Sequence, residues 1–323
     1  MDEFAFIRER LAPLARGAPG ARGLTDDAAT LAPPFGCELV VTADALVAGV
    51  HFRAQDPLDG VAAKALRVNL SDLAAKGADP IGYLLSIVWP RDLPQPEKER
   101  FVAGLAADQK RYGVTLLGGD TTAGPGPLVV AITAFGAVPT GRMVERAGAR
   151  PGDAVFVTGT IGDAGLGLRA LEGDLDTLAG DHRKTLTDRY LAPEPRVAAA
   201  RALRDLAHAA IDVSDGLLAD AGHVADTSGA RLVLQAAAVP LSEAARAWLG
   251  AEPDASAALA ALATFGDDYE VLFCTPAEAG AEVARRSGVP VTAIGRVEAG
   301  EGVALLGPDG SPIPVSRAGF THF

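Results

Sequence analysis

Apolar, β-branched runs recur along this chain, and several of them end on an aspartate: VVTAD (40–44), VNLSD (68–72), LLGGD (116–120) and AAIDVSD (209–215). A carboxylate at the end of a buried element is costly unless something compensates it, so the fold must gather these ends where a cation or donor can meet them. Asp72 stands near the beginning of a helical segment, Val68 to Pro80, flanked by Asn69 and Ser71. The residues after it, Ala74, Ala75, Gly77 and Ala78, carry so little bulk that another group can approach the backbone closely. A further pair, Asp26-Asp27, lies in the glycine-rich stretch GAPGARGLTDDAATL, where solvated turn chemistry is the simplest reading of the pair taken alone.

Order along the chain indicates an α/β architecture. Residues 3–16 have helical apolar spacing; CELVVTADALV reads as a strand with Thr42 and Asp44 at its end, both on one side because they are two apart. Residues 58–79 read as one helix or two, 83–89 as a strand stopped by Pro90, 94–112 as an exposed helix. A buried strand, 114–122, runs into a glycine turn that presents Asp120, and 128–138 is another strand. RAGARPGD (146–153) breaks both periodicities, dividing the 323 residues into parts of 1–147 and 148–323. In the second part Ser214-Asp215-Gly216 opens a helix, FGDDYEVLFCT leads into a strand, residues 277–287 form a helix, and VPVTAIGRV is the last clear strand.

Several function classes are excluded by composition. A net charge of −12 disfavours nucleic acid and anionic membrane as default partners, and no apolar run is long enough to span a bilayer. The mixed-charge N-terminal helix is not a cleavable signal, and Cys37 and Cys274, in apolar surroundings, read as buried thiols of a cytoplasmic protein. No zinc spacing, Walker loop or kinase glycine loop occurs. The glycines at 159, 162, 165 and 167 miss the dinucleotide spacing, and suit tight packing or a phosphate at a helix N-terminus. Separate aspartates without clustered Cys or His suit Mg²⁺, which takes one or two carboxylates along with phosphate oxygens. A nucleoside triphosphate and a phosphorylated acceptor carry roughly six negative charges, which about three or four such ions offset, so an acidic protein can bind polyanions.

Taken jointly and in order, GLTDDAA, TADALVAGVHF, KALRVNLSDLAAKGADP, GGDTT, AIDVSDGL, GDDYE and GFTHF resemble the thiamine-monophosphate kinase family over nearly the full length. The resemblance implies a two-domain α/β (α+β) fold of the aminoimidazole ribonucleotide synthetase type. Its N-terminal ATP- and Mg-binding domain would form a dimer-spanning β-barrel flanked by helices, and its C-terminal domain an α/β sandwich. It also implies ATP-dependent phosphorylation of thiamine monophosphate in a homodimer using several Mg²⁺ ions. Carried over by position, Asp27, Thr42, Asp44, Asp72, Asp120 and Asp212 are the implied Mg²⁺ ligands, and Asp215 holds a further ion. Gly119, Asp120, Arg146 and Ser214 correspond to ATP contacts, and His51, Asp267 and Phe320 to thiamine phosphate contacts; Asp72, Asp120 and Arg146 carry the chemistry.

Three positions depart from the pattern. Ala43 replaces a hydroxyl residue, leaving its carbonyl or a water as ligand; Phe265-Gly266-Asp267 replaces Gly-Gly-Glu; Lys76 replaces a methionine with no role evident from sequence. Relatives with selenophosphate synthetase or hydrogenase-maturation chemistry would bring cysteines that are missing from residues 1–30 and from the C-terminal residues here. An aminoimidazole ribonucleotide synthetase-like enzyme is the nearer catalytic alternative, and a non-catalytic metal- and nucleotide-binding sensor the alternative from another class.

Overall fold

A computed structural model describes residues 2–315 and 317–320; Thr321, His322 and Phe323 of the C-terminal motif lie outside them. The chain forms two compact units, Met1–Leu73 with Ala78–Arg142, and Ala74–Gly77 with Met143–Phe323.

The first unit is built on a four-stranded mixed sheet in the order β1-β4-β2-β3, from β1 (Cys37–Val47), β2 (Asp79–Pro90), β3 (Thr115–Gly124) and β4 (Val129–Pro139). β1 and β2 run antiparallel to β4, and β3 runs parallel to β2. Ahead of the sheet, α1 (Glu3–Phe6) continues as a π-turn at Ile7–Leu11 and a 3₁₀ turn at Ala12–Ala15, not as the regular helix expected over 3–16. Pro13 cannot donate the i→i−4 bond that would continue an α-helix. Phe6, Trp89 and Phe101 meet edge to face, with centroids 6.1 and 5.3 Å apart, and anchor this N-terminal segment.

α2 (Leu58–Ala75) is buried along most of its length, with Lys64, Arg67, Asn69 and Ser71 buried among its apolar residues, whereas α3 (Gln95–Tyr112) buries Phe101, Val102 and Leu105 on one face. α2 is shorter than the 58–79 helix expected: it stops at Ala75, and Gly77 follows at φ +70°. Asp72 therefore lies in the last turn of a helix, not near its beginning. There the exposed carbonyls form the negative end of the helix dipole, which opposes an anion and attracts a cation.

The second unit carries a six-stranded sheet in the order β10-β7-β9-β5-β8-β6, from β5 (Ala154–Thr158), β6 (Ala209–Asp212), β7 (Arg231–Gln235), β8 (Val271–Thr275), β9 (Val291–Glu298) and β10 (Gly302–Leu306). Only β10 and β7 pair in parallel. Its helices are α4 (Asp163–Glu172), α5 (Gly180–Leu191), α6 (Ala200–Leu206), α7 (Leu217–Ser228), α8 (Glu243–Leu249), α9 (Ala255–Thr264) and α10 (Ala277–Ser287). β8 is buried at every residue, as a central strand covered on both faces must be. β7 and β10 were not expected; β10 is a short edge strand beyond the last apolar run legible in the sequence. Lys76, unassigned from sequence, is structural: its Nζ donates to the Ala210 carbonyl at 2.8 Å, and its own carbonyl accepts the Val144 N–H. Cys37 is half-buried, not enclosed, because it starts an edge strand; Cys274 is buried, and its thiol is pushed up to about 12.

Candidate active site

In the first unit the alternation of β1 puts Thr42 and Asp44 on one face and exposes Ala43 on the other. They lie mid-strand, opposite Ala134 and Ile132 of β4, because β1 runs on to Val47. The Thr42 hydroxyl donates to Asp72 Oδ2, tying β1 to the last turn of α2. Burial first, and the charge of Asp72 second, push Asp44 up to about 6. This set offers only oxygen, the donor set that Mg²⁺ takes. Ala43 can contribute a backbone carbonyl but no side-chain ligand.

Ionised Asp44 is thus a liability in the metal-free protein, and the sign of its pH dependence follows. Below about pH 4 the carboxyl is protonated folded and unfolded; between pH 4 and 6 the unfolded chain releases its proton first, so stability falls as pH rises. We expect Asp44→Asn in EDTA to be more stable than the parent at pH 8 and indistinguishable from it near pH 3.5 by thermal melts. A variant less stable than the parent at pH 8 would contradict this electrostatic account.

Asp27 and Asp120 line a second feature of this unit, a cleft of about 840 Å³ with Phe4, Ile7 and Leu11 on its apolar side. Asp27 is exposed on the loop after Leu24, and Asp120 is exposed on β3, opposite Ser86. The glycine turn expected to present Asp120 is instead part of the strand, which bulges beside Tyr83 and Leu84. Gly119 sits at φ +144°, and a Cβ there would fall 1.8 Å from the Leu85 carbonyl oxygen, so only glycine lets the two strands approach at this point. His51 Nδ1 accepts the Val47 N–H at 3.1 Å and closes the turn after β1.

In the second unit Asp212 ends β6, buried, and the Ser214-Asp215-Gly216 turn follows it. The Ser214 carbonyl accepts the Asp267 N–H at 2.8 Å, and the Asp215 carbonyl accepts the Phe320 N–H at 2.9 Å. Four sequence-predicted residues are thereby brought onto one turn. Asp267 holds φ +69° and Tyr269 φ +50° in the connection from α9 to β8, a strained segment that the Asp267 bond and the Tyr269 N–H bond to the Val213 carbonyl hold in place. Arg146 is exposed and makes no ion pair among the described residues; the preceding carbonyl, of Glu145, accepts the Ala210 N–H beside β6.

Two groups escaped the sequence reading. Asp220, in the first turn of α7, accepts the N–H groups of Ser214, Asp215 and Gly216 on Oδ2 at 3.1, 3.1 and 3.2 Å. Burial and then Asp215 push it up to about 7, against those three hydrogen bonds. Asp215, Asp220 and His223 place one potential ligand atom each within 4.8 Å of one another. Neither Ser214 nor Asp215 caps α7 as their position suggested, since its N-cap is Gly216 without a side-chain bond; the acid one turn after SDG was the available signal. The other group is Glu270, fully buried, which accepts from Thr158 Oγ1 at 2.7 Å, Arg189 at 2.7 Å and Arg196 at 2.5 Å. Nearby, Asp268 accepts the Gly162 and Ala164 N–H groups, occupying the α4 N-terminus where a phosphate was one sequence expectation; burial raises its pKa well above the carboxylate range.

Residues 25–138 match the family of AIR synthase related protein, N-terminal domain, and residues 150–307 the family of AIR synthase related protein, C-terminal domain. The chain is 47% identical over 323 residues to the thiamine-monophosphate kinase of Caulobacter vibrioides, covering 99% of this chain and 90% of the relative. The crystal structure of the thiamine-monophosphate kinase from Stenotrophomonas maltophilia superposes with a TM-score of 0.83 at 39% identity, covering 97% of this chain and 98% of that one. AaThiL, complexed with AMPPCP and TMP, superposes with a TM-score of 0.80 at 32% identity over 99% and 97% of the two chains. The fold is thus the two-domain α/β fold of the AIR synthase related proteins. Within that class, the chain belongs to the thiamine-monophosphate kinase family.

Proposed function

We propose that the acidic residues of this chain hold several Mg²⁺ ions for direct phosphoryl transfer between two small phosphorylated substrates. The activity is ATP-dependent phosphorylation of thiamine monophosphate to thiamine diphosphate. Asp27, Thr42, Asp44, Asp72, Asp120, Asp212 and Asp215 are the proposed ligands, with the Ala43 carbonyl available as another; residues 1–147 and 148–323 are the two functional parts. Mg²⁺ held by these residues would supply charge neutralisation for the phosphoryl group during transfer. The juxtaposition of Thr42, Asp44 and Asp72 carries this reading, since it gathers oxygens at a cost that a cation reverses.

The cleft beside Asp27, Gly119 and Asp120 takes the nucleotide, its apolar side facing the base. Arg146 and Ser214 contact the triphosphate, while His51, Asp267 and Phe320 meet thiamine phosphate. No general base is required: the second pKa of a phosphate monoester is about 6, so the acceptor oxygen is already ionised at neutral pH and attacks the γ-phosphorus in line. A several-ion mechanism is tested by rate against Mg²⁺ at fixed ATP. Turnover should keep rising past the concentration that saturates ATP as its one-to-one complex; a plateau at that point would contradict it.

Among the described residues, no helix is long and apolar enough to cross a membrane, and the proposed setting is the cytoplasm. The partner is a second copy of the chain, the two pairing their first units into the barrel that a lone four-stranded sheet does not close. β1 is an edge strand, with Val41 56% exposed. We expect sedimentation to give a dimer at micromolar concentration and Val41→Glu to shift it to monomer; an unchanged dimer would place the interface elsewhere.

A further inference from the structure

The turn from Val213 to Gly216 is bonded on every side. Outward, its carbonyls hold other segments: Val213 accepts Tyr269 N–H at 2.8 Å, Ser214 accepts Asp267 N–H at 2.8 Å, and Asp215 accepts Phe320 N–H at 2.9 Å. Inward, the amides of Ser214, Asp215 and Gly216 converge on a single oxygen of Asp220, a side chain only 2% exposed. Three consecutive N–H groups pointing at one atom fix the orientation of all three peptide planes, and with them the direction of the carbonyls on the opposite side. The turn cannot rotate without breaking contacts on both faces.

We propose that Asp220 is a positioning residue that sets the Ser214–Asp215 turn and, through its carbonyls, the Asp267 and Phe320 segments, so that one carboxylate aligns the groups for both substrates. This rests on the proposed roles of Ser214 toward ATP and of Asp267 and Phe320 toward thiamine phosphate. Asp220 itself touches neither substrate. Its effect is therefore shared: loosening the turn displaces contacts to the nucleotide and to the acceptor together, whereas loss of a direct contact would affect one.

The test is steady-state kinetics of the full-length protein with ATP, Mg²⁺ and thiamine monophosphate for Asp220→Ala, Asp220→Asn and His223→Ala. Asp220→Ala, which deletes the acceptor, should raise KM for both substrates about tenfold and lower kcat at least thirtyfold. Asp220→Asn keeps a neutral acceptor oxygen and should recover most of that, with both KM values within about threefold of the parent. His223→Ala should match the parent. If Asp220→Ala does not fold, Asp220→Asn decides, with a paired two- to threefold rise in both KM values expected. Parent-like kinetics in a folded Asp220→Ala, or a rise in KM for one substrate alone, would overturn the proposal. So would a raised Mg²⁺ requirement shared by Asp220→Asn and His223→Ala, which would mark a cation ligand set instead. An inactive parent protein would remove the kinase reading itself, a different failure from active but unaltered variants.

Discussion

Asp72→Asn is expected to lower kcat about 100-fold or more while leaving the fold intact, because it removes charge at the point where the first unit concentrates it. The variant keeps an oxygen that can accept from the Thr42 hydroxyl, so the link between β1 and α2 survives. It also relieves the repulsion that helps hold Asp44 up to about 6, so the metal-free protein loses no stability. The loss is confined to cation binding and hence to charge neutralisation in the transition state, where about 3 kcal/mol corresponds to a 100-fold rate change. Turnover against Mg²⁺ together with a thermal melt checks both halves. Near-normal turnover would contradict a ligand role for Asp72; collapse of the melt would show a structural one.

The second large effect is on stability. Glu270→Ala should destabilise the second unit by about 3–5 kcal/mol, because deleting one member of a buried ion group leaves the others uncompensated. Glu270 is fully buried, and its partners Arg189 and Arg196 expose only 18% and 16% of their side chains. Both arginine side chains are therefore mostly, though not fully, withdrawn from water. For a unit of this size the change lowers the melting temperature by about 10 °C. Glu270→Gln, which preserves shape and some hydrogen bonds, should cost less. Equal and small shifts for the two variants would mean that solvent already compensates the arginines.

Where the sequence spoke clearly, it spoke through period and punctuation. Alternation in β1 placed Thr42 with Asp44, and the SDG sequence marked the start of α7; both are local patterns, and the structure holds the groups accordingly. What escaped depends on distance along the chain. Asp72 was placed near a helix beginning because VNLSDLAAKGADP was read as one segment, whereas Gly77 at φ +70° ends the helix just after it. Glu270 looked like one more acid before a strand; its partners lie 112 residues away at Thr158 and 74 and 81 away at Arg196 and Arg189. No periodicity reports such pairings. Asp120 was expected on a turn because two glycines precede it, yet after a bulge at Leu117 the chain continues as a strand, Gly119 permitting the close approach to Leu85. The edge strand β10, only Gly302–Leu306, lacked a run long enough to stand out.

The central claim is that the carboxylates of this chain serve metal-dependent phosphoryl transfer onto thiamine monophosphate. It is tested most directly by chromatographic analysis of products from purified protein with ATP, Mg²⁺ and thiamine monophosphate, beside controls lacking the acceptor or containing EDTA. The account predicts ADP and thiamine diphosphate in equal amounts, with both products absent in EDTA. ADP formed without thiamine diphosphate, or thiamine diphosphate formed in EDTA, would contradict it.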